Sequence, residues 1–176
     1  NEKTNKLYFA AEVFDDKYVV DKETSWIGDY FDIQVDADHG GEDYWFGYDN
    51  KETGAKAQAY VMAMPPDGST FLKIFSQATW VLSYPWSEYA GKVQSDPDGG
   101  YTMLYEICIT PFDYLNPDGS DKSLLHRLKQ REIVGLNCGF VDYDEPSFIY
   151  CWFTISNTDV PWQKAWQLSD FLLESH

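Results

Sequence analysis

Residues 24–41 read TSWIGDYFDIQVDADHGG. In the middle of this stretch Phe31, Ile33 and Val35 take one phase of a strict alternation, and Asp32, Gln34 and Asp36 take the other. A period of two over this length marks a strand with one face against a core and one polar face. The glycine pair Gly40–Gly41 then supplies the conformational freedom a turn needs. A short alternating strand closed by a glycine turn is therefore the unit to seek elsewhere.

It recurs along the whole chain. LYFAAEVF (7–14) sets Leu7, Phe9, Ala11 and Val13 against Tyr8, Ala10, Glu12 and Phe14. Further strands are expected in DYWFGYDN (43–50), AKAQAYVMAM (55–64), FLKIFS (71–76) and TWVLSY (79–84). The same holds for GKVQSD (91–96), YTMLYEICI (101–109), EIVGLNCGFVDYD (132–144) and FIYCWFTI (148–155). HGG, PPDGS, DPDGG and NPDGSD separate them with turn residues. One segment, SDKSLLHRLKQRE (120–132), carries Leu124, Leu125 and Leu128 at helical spacing behind a Ser or Asp cap and predicts a short crossover helix. QLSDFLL (167–173) suits a closing strand or a helix equally. The sum is an all-β, two-sheet antiparallel sandwich in a single domain over residues 1–176.

Composition narrows the function. A formal charge of −16 argues against nucleic acid, whose readers need a basic stripe. No apolar run approaches a membrane span. Cys108, Cys138 and Cys151 are an odd set without a CxxC pair, which suits buried free thiols, with one disulfide and a leftover thiol as the alternative. The chain enters a strand almost at its first residue, so it is expected to derive from something longer.

Nucleophile elbows and phosphate-cradling glycine loops are missing. Glu12 and Glu106 take the non-core phases of their strands, so both could line one sheet face as the carboxylate pair a glycoside hydrolase needs. Calcium takes six to eight oxygens from carboxylates and carbonyls on irregular loops. DADHGGED offers Asp36 and Asp38, with Glu42 and Asp43 beyond; DYDE offers Asp142 and Asp144; Asp15 and Asp16 close the first strand. A structural calcium ion is therefore expected at one of these strand ends. Seven tryptophans are more than a core of this size readily hides. Trp26 and Trp162 fall in polar, loop-like surroundings and are candidates for stacking on a sugar ring, whereas Trp45, Trp80 and Trp152 are expected inside strands as packing residues.

The ordered motifs LYFAAEVFDD, WIGDYFDIQVDAD, YTMLYEICITPFDYL, EIVGLNCGFVDYDE and NTDVPWQKAWQLSDFLL together resemble the family 9 carbohydrate-binding modules and the related DOMON-type sensors. The resemblance covers nearly the whole chain. It implies an immunoglobulin-like β-sandwich and a non-catalytic, extracellular or periplasmic module attached to other domains, here lacking upstream N-terminal strands. It implies a sugar held between Trp26 and Trp162, with Asp32, Asn157, Asp159 and Asn137 bonding its hydroxyls, and it suits bound calcium. On the sensor side it implies haem, with Met62, Met64 or His39 as axial ligands. Two departures stand out: Asp32 takes a place where the family commonly has Glu, and Gly139 and Val141 stand where sugar-binding members present amides. A structural or interaction domain that has lost sugar binding is the alternative they leave open.

Overall fold

The computed structural model describes residues 1–20, 28–65, 67–145, 148–156, 158 and 161–174. Trp26, Asn157 and Asp159 lie outside the described residues. Two antiparallel sheets face each other. The smaller has three strands in the order β1 (Leu7–Asp15), β6 (Tyr101–Ile109), β5 (Ser87–Ser95). The larger runs β10 (Phe148–Thr154), β9 (Ile133–Glu145), β2 (Tyr30–Asp36), β3 (Gln58–Ala63), β4 (Phe71–Ile74). A final strand, β11 (Ser169–Leu172), also pairs with β9. β10 and β11 share one edge of β9, matching Gly139–Glu145 and Ile133–Leu136 respectively, while β2 occupies the other edge.

Alternation decides which residues meet between the sheets. Leu7 of β1 and Met103, Tyr105, Ile107 and Ile109 of β6 oppose Phe31, Ile33 and Val35 of β2 and Val134, Leu136 and Phe140 of β9, all of them buried. Tyr105 touches Phe31 and Phe140 across the gap, at ring-centroid distances of 5.4 and 6.3 Å. Burying each such side chain contributes about 1.5–3 kcal/mol, which fixes the strand register because a one-residue slip would turn the whole set outward. Met62 and Met64 are in this core, and His39 pairs with Asp170 on the surface. The outer face of the small sheet is open, and Glu12 and Glu106 lie on it as diagonal neighbours rather than across a cleft.

The expected crossover helix is absent. Residues 120–132 form a three-residue 3-10 turn (Ser120–Lys122) and a two-residue strand, β8 (Leu124–Leu125), paired with β7 (Phe112–Tyr114). Local and long-range polar partners outcompete the helix here. Ser123 Oγ donates to Gly119 O and accepts from Asn116 N–H, both at 2.9 Å. The Asn5 amide donates to His126 O and accepts from Leu128 N–H, while the His126 ring lies between Asp113 and Glu132. Of the three leucines, Leu128 is buried and Leu124 is exposed. Two other expected strands also fail: residues 79–82 form a 3-10 turn, and 43–50 form a loop touching the rest only through the Asp43–Lys164 bridge among its strand-type pairs. The three cysteines are free and half-buried, and Cys138, packed against the core, has its thiol pushed up to about 12 by burial.

Candidate functional site

The polar phase of β2 is not wet. Asp32, Gln34 and Asp36 are 3%, 1% and 2% exposed, because loops cover the outer face of the larger sheet. At one end of that face Tyr44, Ala57, Ala59, Ala165 and Leu168 form a second small core. Backbone bonds from Tyr44 N–H to Gln163 O and from Ala165 N–H to Glu42 O, each 3.0 Å, tie the two covering loops together. The Tyr44 hydroxyl also donates to Pro161 O. This clamp places Trp45 and Trp162 side by side, with ring centroids 5.9 Å apart in an edge-on contact. Trp45 also meets Tyr48 and Phe75 edge-on, at 4.7 and 6.0 Å.

Beside this clamp a cavity of about 370 Å³ opens, within the roughly 300–1,000 Å³ range of small-molecule sites. Its floor is the sheet: Tyr30, Asp32 and Gln34 from β2, Val141 and Tyr143 from β9, and Trp152 from β10. Its walls are Trp45, Tyr48, Phe75 and Trp162. Trp45 and Trp152 were expected as packing residues and instead line this cavity. Their neighbours in sequence alternate, which reads as strand, but only the long-range loop clamp shows which face of the fold they join.

A polar ladder runs beneath the cavity. Ser156 N–H and Oγ–H donate to Asn137 Oδ1; Asn137 Nδ2 donates to Gln34 Oε1 (2.5 Å); and Gln34 Nε2 donates to Asp32 Oδ2 (2.8 Å). Asn137 is fully buried with both ends of its amide engaged, so it positions Gln34 and does not line the cavity. Asp32 Oδ1 has no hydrogen-bond partner, and neither has Trp152 Nε1. The two atoms lie over Gly139, and the indole N–H favours the charged form of the carboxylate. A Cβ on Gly139 would fall 2.4 Å from Asp32 Oδ1, so glycine is required there by close approach. Burial pushes the Asp32 carboxyl up to about 6, offset in part by Gln34 and Trp152.

The acidic strand ends separate into three arrangements. Asp36 accepts from Gly40 N–H and Gly41 N–H, at 3.2 and 2.9 Å, and closes the turn after β2; burial raises its pKa, and its contact with Asp38 raises it further. Asp144 pairs with Lys17 at 2.9 Å. Asp142 joins Asp15 and Asp29, whose carboxylate oxygens come within 4.8 Å of one another, the one such group of three among the described residues. Asp29 was not foreseen. It is 1% exposed and accepts from Val19 N–H (2.6 Å) and Tyr143 N–H (2.9 Å). Burial, then the charges of Asp15 and Asp142, push it up to about 7. Asp15 Oδ2 is buried without a partner.

No family model and no curated protein matches the chain. Solved structures do. A family 9 carbohydrate-binding module from Caldicellulosiruptor kristjanssonii in complex with cellotriose superposes with a TM-score of 0.67 at 16% identity, covering 97% of this chain and 70% of that one. A family 9 module from the same organism in complex with glucose gives 0.62 at 14% identity, with 97% and 72% covered. The chain thus has the fold of the family 9 carbohydrate-binding modules, an all-β antiparallel sandwich. Among the described residues no helix is long and apolar enough to cross a membrane.

Proposed function

We propose that this domain is a non-catalytic carbohydrate-binding module of a larger extracellular or periplasmic protein. The observation that carries the reading is the cavity in which Trp45, Trp152 and Trp162 surround Asp32 and Gln34. Aromatic faces that stack on the apolar side of a sugar ring, beside a few fixed polar groups for its hydroxyls, are the usual chemistry of such a site. Solved modules of the same fold hold cellotriose and glucose, which supports the ligand class. In this reading Trp162 is a stacking platform, Trp26 faces it across the ligand, Asp32 accepts hydroxyl bonds, and Asn157 and Asp159 add polar contacts. Titration calorimetry against soluble glucans, xylans and short oligosaccharides tests it. Millimolar or tighter binding that is lost in Trp162→Ala and Trp26→Ala is the expected result. A folded protein that binds none of the panel is instead a structural or interaction domain.

We also propose that Asp15, Asp29 and Asp142 hold a calcium ion. The donor set is all hard oxygen, which suits calcium, and the unpartnered Asp15 Oδ2 and the upshifted Asp29 fit a place where positive charge is wanted. Bound calcium would neutralise the cluster and fix Asp29, which bonds the backbone of both Val19 and the cavity-lining Tyr143. A calcium-dependent rise in Tm that is absent in Asp142→Asn tests the assignment. Asp36 and Asp38 are the second place to look if that rise persists.

A further inference from the structure

The charge balance of the cavity says more about its ligand than its shape does. Seven of its ten lining residues are aromatic, and the other three are Asp32, Gln34 and Val141. Among the described lining residues none is Lys, Arg or His, so Asp32 is the one ionisable acid or base of ordinary strength and has no counter-ion. Its Oδ2 is occupied by Gln34 and its Oδ1 is buried over Gly139 beside the Trp152 indole, so neither oxygen meets a positive charge. Aromatic faces carry negative potential, and a ring of them around a carboxylate is the arrangement that attracts an organic cation. The field of the whole chain, at −16, has the same sign.

A neutral hydroxyl in the cavity leaves the charge of the Asp32 carboxylate uncompensated. An ammonium in the cavity supplies the counter-charge that this buried carboxylate lacks. It also gains from indole faces at close range. From these facts we infer that the cavity takes an amino sugar, bearing a free ammonium, in preference to the neutral sugar of the same shape. The upward shift of Asp32 is what a buried anion without a counter-charge shows. The inference rests on the sugar-binding reading above and narrows it.

Three trisaccharides with the same β-1,4 backbone separate charge from shape: cellotriose, the glucosamine trimer and the N-acetylglucosamine trimer. Calorimetry at pH 7 is expected to give the glucosamine trimer a roughly tenfold lower Kd than either neutral trimer, equivalent to about 1.4 kcal/mol. Asp32→Asn, which keeps the shape and removes the charge, should bring the first two affinities together. Equal affinities in the unmutated protein overturn the inference while leaving sugar binding intact, as does a tenfold preference that survives Asp32→Asn. If Asp32→Asn does not fold, the comparison of the free-amine and N-acetylated trimers in the unmutated protein decides the matter. Failure of all three trimers and of the polysaccharide panel overturns the sugar-binding reading and this inference with it.

Discussion

Gly139→Ala tests whether the cavity floor is built on close approach. An added Cβ would lie 2.4 Å from Asp32 Oδ1, 2.6 Å from Phe153 O and 3.0 Å from Trp152 Nε1. None of these yields easily. The Asp32 carboxylate is held at its other oxygen by Gln34, and Phe153 O belongs to the β10 backbone, paired with β9 at Phe153–Phe140 and Thr154–Gly139. Relief therefore requires β10 to move or Trp152 to swing into the cavity. Overpacking of this kind costs about 1–3 kcal/mol, and for a chain of this size each kcal/mol lowers Tm by about 2–4 °C. A fall of roughly 2–12 °C by calorimetric melting is expected, with sugar affinity reduced at least about tenfold, the factor that 1.4 kcal/mol of lost contact represents. Gly40→Ala is the control. Its Cβ would meet only the carboxylate end of Asp38, at 3.1 Å, so its stability should stay within about 0.5 kcal/mol of the parent. If Gly139→Ala melts and binds like the parent, the packing of Asp32 and Trp152 over this glycine does not hold.

Three further outcomes follow from the same geometry. In chelator, Asp29 carries a pKa of about 7 in the fold against the ordinary aspartate value of 3.8. The folded state then holds the extra proton between those values, so stability is highest near pH 4 and falls as pH rises to 7. Each unit is equivalent to about 1.4 kcal/mol, giving an upper limit of about 4 kcal/mol, and added calcium should restore Tm at pH 7 but not at pH 4. Gln34→Ala leaves Asp32 Oδ2 and Asn137 Nδ2 buried without their partners; a loss of about 1–3 kcal/mol in urea unfolding is expected. Leu128→Ala should cost about 2–5 kcal/mol and the exposed Leu124→Ala almost nothing, whereas a helix burying one leucine stripe would make the two costs similar.

Strand positions were legible where one face meets the core. YTMLYEICI is β6 residue for residue, and Phe31, Ile33 and Val35 face inward as their alternation predicts. What periodicity does not carry is the fate of the opposite face. Asp32 and Gln34 read as an outward polar face, because a single strand contains no sign of loops from residues 42–57 and 161–168 closing over it. Trp162 was found through its polar surroundings and does line the cavity. Trp45 and Trp152 were not, since an aromatic in an alternating run has the same signature whether it faces the core or a ligand. Asp29 was missed for a related reason: its role is set by the distant Asp15 and Asp142.

The shared edge of β9 has a consequence for how such a site changes over time. After β10 the chain leaves that edge beside Cys138 and Asn137, where Ile155 N–H and Ser156 N–H still bond, and it rejoins at Leu136 through Ser169. The excursion between, which carries Trp162, begins and ends about one residue apart on a single strand. A change in its length adds little closure strain, since its ends already touch, but Ala165 and Leu168 within it belong to the second small core, and its Gln163 and Ala165 backbones hold the loop that carries Trp45. The Trp162 wall of the cavity can be varied while the floor, the ladder beneath it and the core between the sheets stay as they are. The lining of the cavity can thus vary around Trp162 without rebuilding the sandwich, so long as the buried Ala165 and Leu168 are kept.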